Sequence, residues 1–292
     1  MTRRSFAAAF SAVPMALQAE PRKSKWSICS ETFAGKPFEE ACASARTTGY
    51  SGLEIDPSNL SEDPAGLSAS ERAAVRRAMA KQGLAFVGLH SFLKAPNGLH
   101  LTSGGAALRE RSWQYFERLI HLAADLGNRP LMILGSSKQR HALEGTLVPL
   151  AVDRLREGLA RVSPAAEKRG VTILLEPLAP HLCNVVNTLD EAVAIRNAIG
   201  SAAIRTMLDT HNTAAETMPL PQLIEKHFSQ IRHVHLNEMD GKYPGSGDFA
   251  FAPVLNKLRN LNYAGWLSVE VFDFHPDGET VARKAADYLK KL

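Results

Sequence analysis

Three cysteines in 292 residues, Cys29, Cys42 and Cys183, are too few and too scattered for a disulfide framework or a thiolate zinc motif. Charge of one sign is also missing: 34 Lys and Arg face 30 Asp and Glu, a formal balance of +4. Two of the basic residues are Arg3 and Arg4, and without them the balance is +2. A chain so nearly neutral lacks the electrostatic footprint of a nucleic-acid or anionic-membrane binder. The apolar stretch at residues 6–17 is shorter than the roughly 20 residues needed to cross a bilayer, so no stable membrane anchor is expected. Gly104-Gly105 and the Pro244-Gly245-Ser246-Gly247 loop do not follow a strand and open a helix, which speaks against a dinucleotide or P-loop fingerprint. No repeat of 20 to 50 residues stands out. What remains is an ordinary globular composition, 45% apolar and 22% charged.

The first nineteen residues read as a targeting segment. Thr2-Arg3-Arg4-Ser5-Phe6 is a twin arginine ahead of an apolar stretch, the pattern of a twin-arginine export signal, with cleavage expected after Ala19 although Leu17 at the −3 position is larger than usual. This predicts a periplasmic or secreted protein, folded before export, with residues 20–292 forming one domain. That route suits a protein loaded with its metal or cofactor inside the cell.

From residue 26 onward, strand-like apolar segments alternate with amphipathic helical ones. Strands are predicted at 26–30, 52–56, 85–90, 130–135, 171–176, 204–209, 231–236 and 266–271, and helices at 37–48, 70–82, 107–126, 148–169, 189–199, 220–229, 253–261 and 279–292. Gly83, Gly127 and Gly170 are placed to close helices as C′ glycines. Eight βα units in about 270 residues is the count of an α/β (β/α)₈ TIM barrel, with an open doubly wound sheet as the runner-up.

The segment VTILLEPL (171–178) is apolar on both faces up to Glu176, and Pro177 then ends the strand. A carboxylate there costs several kcal/mol to desolvate unless something cationic meets it. The other strand ends offer Glu54 and Asp56, His90, Asp209 with His211, His233 with His235, and Glu270. Glu176, Asp209, His235 and Glu270 lie 33, 26 and 35 residues apart, one βα unit each, so four consecutive strands deliver Glu, Asp, His and Glu to one rim. Carboxylates crowded in this way repel unless a cation sits among them. Oxygen ligands with one imidazole favour Mn²⁺, Mg²⁺ or Co²⁺, with Zn²⁺ also open. One divalent ion, Mn²⁺ first, is the expected cofactor.

The segments LEPL, LDTH, HVHLNE, YPGSGDFAF and GWLSVEVF resemble the sugar phosphate isomerase/epimerase superfamily, the xylose-isomerase-like barrels that include ketose 3-epimerases, hydroxypyruvate isomerase and inosose dehydratase. The resemblance covers essentially all of the chain after the signal and is strongest from Val171 onward. It implies that Glu176, Asp209, His235 and Glu270 bind the metal, and that Glu176 and Glu270 also act as the acid/base pair on opposite faces of a sugar. The chain departs from the epimerases at three places. Leu182 stands where they carry a glutamate, Gly241 stands where they carry an arginine, and His211 lies two residues after the aspartate rather than three.

Substrate contact is expected from His90, His211 and Glu54, whereas His233 is expected to be a core histidine. The resulting expectation is a metal-dependent isomerase or epimerase that abstracts a proton beside the carbonyl of a keto-sugar or keto-glycoside. A lyase or dehydratase on such a compound is the alternative. An apurinic-site endonuclease-like hydrolase and a non-catalytic sugar-binding barrel stay open as other classes. A small carbohydrate is the expected partner, nucleic acid is not, and a homo-oligomer is left open because barrels of this type often pair.

Overall fold

The computed structural model describes residues 24–292; the twin-arginine segment expected at residues 1–19 lies outside the described residues. Eight parallel strands close into a barrel in chain order, β1 through β8 and back to β1. The strands are β1 Lys25–Cys29, β2 Gly52–Ile55, β3 Ala85–His90, β4 Leu131–Leu134, β5 Thr172–Leu175, β6 Ile204–Asp209, β7 Ile231–Leu236 and β8 Trp266–Val269. Each is followed by a helix: α1 Phe38–Thr47, α2 Ala69–Lys81, α3 Ala106–Leu126, α4 Val148–Arg169, α5 Leu189–Ile199, α6 Leu220–His227, α7 Phe251–Asn260 and α8 Gly278–Leu289. This is the (β/α)₈ barrel expected from the alternation. It excludes the doubly wound sheet.

Local chemistry sets the helix starts. Ser68 and Glu71 form a reciprocal capping box on α2, and Thr188 and Glu191 form another on α5, so each pair satisfies backbone donors that the first turn would leave free. The main apolar core lies between barrel and helices, where α3 buries Trp113, Phe116, Leu119 and Ile120. Trp113 and Phe116, together with Tyr115, are therefore packing residues.

The barrel interior is divided in character. Because side chains alternate along a strand, Leu174 on β5 faces inward with Ile133 of β4 and Met207 of β6 in a small apolar cluster of their own. The same alternation turns Glu176 and Asp209, two residues further on, toward the barrel axis. From β7 round to β2 the interior is polar instead, with fully buried His233, Ser268, Ser27 and Glu54.

The three glycines expected to cap helices do so for different reasons. Gly83 and Gly170 take left-handed backbone, with φ of +64° and +67°, as a C′ glycine should. Gly127 does not: its φ of −163° is extended backbone that any residue adopts. What requires glycine there is space, since a Cβ would lie 2.6 Å from Cδ1 of Phe86 on β3. Gly127→Ala is therefore expected to cost about 1–3 kcal/mol through overpacking, read as a shift in denaturant midpoint at unchanged slope. A loss below about 0.5 kcal/mol would mean that Phe86 swings aside freely.

Candidate active site

The ends of β5 to β8 converge. Ligand atoms of Glu176, Asp209, His235 and Glu270, all buried, lie within 4.8 Å of one another. His235 Nδ1 sits 3.0 Å from Glu270 Oε2 and 3.7 Å from both Glu176 Oε1 and Asp209 Oδ2, so three carboxylates surround one imidazole nitrogen. Glu176 Oε1 is buried and has no hydrogen-bond partner. An orphaned carboxylate oxygen beside two more carboxylates and an imidazole is a donor set that fits a hard or borderline divalent cation.

The protonation pattern points the same way. Burial, then the neighbouring Glu270, pushes the Glu176 carboxyl well above the usual range, and burial also raises Asp209. Burial opposes ionisation of Glu270 too, but His235 and His90 outweigh it and hold that carboxyl well below its ordinary value. His235 is held well above its ordinary value despite burial, by Glu270 and Glu54. Repulsion among these carboxylates is what a divalent ion between them would relieve.

Each ligand is held from behind. Asp209 Oδ1 accepts from the backbone N–H of His211 at 2.8 Å, and Oδ2 accepts from Asn212 Nδ2 at 3.0 Å. Asn237 Oδ1 accepts from the same His211 N–H and from Thr210 Oγ1, tying the end of β6 to β7. Gly135 at the end of β4 makes room for the Glu176 carboxylate, for a Cβ there would lie 2.0 Å from its Oε2. Arg140, fully buried, donates to the Glu176 backbone carbonyl at 2.5 Å. Gly135, Arg140, Asn212 and Asn237 were not singled out from sequence. Only Gly135, a glycine at a strand end, carried a local sign of its role.

Glu54 requires a correction. Expected to face substrate, it is fully buried inside the barrel and accepts from His233 Nε2 at 2.7 Å and His235 Nε2 at 3.0 Å. Burial favours its neutral form, yet the two imidazoles hold it well below the ordinary carboxylate range. It has no surface on the cavity, and its bond to Nε2 orients His235 so that Nδ1 points at the three carboxylates. His233 is the core histidine it was expected to be, fully buried against Glu54.

Above the ligand set opens a cavity of about 560 Å³, within the about 300–1,000 Å³ of typical ligand sites. Glu176, Glu270, His90 and His211 all line it. His90 Nδ1 stands 3.4 Å from Glu270 Oε1, and its Nε2 stands 3.2 Å from Glu31 Oε2. Lys94 Nζ bridges Glu31 at 3.2 Å and Asp56 at 2.8 Å. His211 is at the wall, its ring 5.2 Å from that of Phe272. Asn212, at the position three after the aspartate, is occupied with Asp209 and with the N–H of Ala179. Lys138 also lines the cavity.

A closed barrel with acid and imidazole ligands on four consecutive strand ends defines a class of barrel proteins with a metal-type site at the C-terminal rim. The chain belongs to the xylose isomerase-like TIM barrel family, whose family model matches residues 42–292. An L-ribulose 3-epimerase of Mesorhizobium japonicum is 26% identical over 262 residues, covering 89% of this chain and 84% of the relative. Among solved structures, a D-psicose 3-epimerase in the presence of D-fructose superposes with a TM-score of 0.79 at 21% identity, over 91% of this chain and 98% of that one. A 3-keto-D-glucoside 4-epimerase of E. coli gives 0.80 at 18% identity, over 92% and 100%. At those identities the two structures speak for the fold.

If Glu54 sets the orientation of His235, Glu54→Gln replaces one of the two acceptor oxygens that face His233 and His235 with an amide donor and weakens that hold. The expected result is metal affinity weakened about 10- to 100-fold, measured by competition with a chelator, in a protein that still folds. Unchanged affinity would mean that packing alone holds the ring.

Proposed function

We propose that the protein is a divalent-metal-dependent epimerase or isomerase of a keto-sugar or related polyhydroxy carbonyl compound, acting by proton transfer next to the carbonyl. The observation that carries this reading is that Glu176 and Glu270, from β5 and β8, line one cavity while sharing one candidate metal site. Relatives such as the L-ribulose 3-epimerase support a sugar substrate and this type of reaction.

Glu176, Asp209, His235 and Glu270 would hold the ion. When bound, it would supply Lewis acidity, polarising the substrate carbonyl and stabilising the negative charge that develops beside it. The chain's own residues do the rest. Glu176 and Glu270 come from different strands, β5 and β8, and in this reading one takes the proton from carbon while the other returns a proton to the opposite face. Because the reaction runs both ways, their roles exchange with its direction. His90 steadies the Glu270 carboxylate at Oε1, and His211, whose buried Nδ1 has no protein partner, is free to meet a substrate hydroxyl. Return of the proton to the neighbouring carbon instead of the opposite face would make the reaction an isomerisation.

We further propose export by the twin-arginine route, supported by Arg3-Arg4 and the apolar stretch behind them, with a mature chain beginning after Ala19. An exported enzyme would meet free or oxidised sugars more often than phosphorylated ones.

Glu176→Gln and Glu270→Gln keep an oxygen for a metal but remove the base. Each is expected to slow exchange with solvent deuterium by about 10²–10⁴-fold for the epimer whose C–H that glutamate attacks, followed by NMR with metal content measured in parallel. Wild-type exchange in metal-loaded variants would exclude the two glutamates as the acid/base pair.

A further inference from the structure

The cavity is larger than one sugar ring needs. At interior packing density a hexose occupies roughly 200 Å³, which leaves well over half of the 560 Å³ unfilled. The outer part of that space has an uneven lining. Loops after β5 and β8 bring Leu178, Leu182 and Phe272 to it, whereas the loop after β4 brings Ser136, Ser137, Lys138 and Gln139. In an eight-stranded closed barrel β4 and β8 are diametrically placed, so the polar wall stands across the mouth from Phe272.

Phe272 is exposed but held in place. Phe272 is 50% and Leu182 41% exposed, two of the seven large hydrophobics so exposed among the described residues. The Phe272 N–H donates to the Gly241 carbonyl at 2.8 Å, which pins the β8 loop to the β7 loop. Gly241 has φ of +78°, and a Cβ on it would lie 2.6 Å from Phe272 Cδ2. Any side chain at 241 would therefore push the ring from where it sits, edge-on to His211 with centroids 5.2 Å apart at 64°. The glycine thus clears the space that an exposed phenyl ring occupies at the mouth of the cavity.

We propose that this outer half is a subsite for the aglycone of a keto-glycoside. The oxidised sugar ring sits over Glu176 and Glu270, and the group attached through the glycosidic oxygen lies against Phe272 and Leu182. The aglycone is a ring with a flat apolar face, and the β4 wall suits polar groups on its edge. A second pyranose and an aryl group share the apolar face, and only the pyranose carries hydroxyls for Ser136, Ser137 and Gln139. Covering Phe272 and Leu182 removes apolar surface from water, which is where the added affinity arises. The proposal rests on the keto-sugar reading above and names its substrate class.

The test uses the metal-replete full barrel and measures deuterium uptake beside the carbonyl for three substrates: a methyl keto-glucoside, a phenyl keto-glucoside and a keto-disaccharide. The expected result is a kcat/KM at least tenfold higher for a ring aglycone than for methyl, with that ratio falling toward one in Phe272→Ala and in Gly241→Arg. A gain for both ring substrates or for either supports the subsite and says which ring fills it. Equal kcat/KM for all three in the wild type, or a ratio that Phe272→Ala leaves unchanged, overturns the subsite while the keto-sugar reading stands. Absence of exchange from all three and from free ketoses overturns both.

Discussion

Three carboxylates buried around one imidazole nitrogen impose the constraint on which the rest of this barrel depends. Each ionised carboxylate out of water costs several kcal/mol unless compensated, and Glu176, Asp209 and Glu270 converge on His235 Nδ1 with few other cations in reach. Arg140 is buried nearby, but it is bonded to the Glu176 backbone carbonyl. A divalent ion among all four ligands would supply that compensation. Glu54 prepares the site for it, because its bond to His235 Nε2 leaves Nδ1 facing the carboxylates.

The fold turns this constraint into a site. Parallel strands that alternate inward and outward put Leu174 and Glu176 on the same side of β5, and His233 and His235 on the same side of β7. The deeper residue of each pair belongs to the packed interior and the shallower one to the rim. A polar sector from β7 to β2 lets Glu54 be buried with two histidine partners, while the sector from β4 to β6 is filled by Ile133, Leu174 and Met207. Loops then add what the strands cannot, with Phe272 and Leu182 at the mouth and Glu238 accepting from the N–H groups of Gly245 and Phe249 to hold the loop after β7.

Much of this was legible in sequence because it depends on local pattern. Continuous apolar strands, amphipathic helices and a ligand-type residue at each of four strand ends predicted both the barrel and the convergence of Glu176, Asp209, His235 and Glu270. Depth was legible for His233 but not for Glu54. Glu54 lies inside β2 whereas Glu270 follows the end of β8, and the β2–β3 register shifts between Leu53 and Glu54. Stagger of this kind follows from barrel closure and leaves no trace in spacing. Gly127 shows a related limit, since a glycine required by a neighbouring Phe86 looks the same in sequence as one required by a left-handed turn. Arg140 lies in a loop 36 residues from Glu176, and no periodicity connects them.

The measurement that bears most directly on the account is elemental analysis of the purified protein, before and after chelation and reloading, for the wild type and for Asp209→Ala and His235→Ala. The account predicts about one equivalent of Mn, Co, Mg or Zn in the wild type, removable and restorable, and loss of that ion in both variants with the barrel still folded. A wild type that takes up no metal even on reloading would contradict it, leaving the four strand ends a proton-compensated cluster rather than a metal centre.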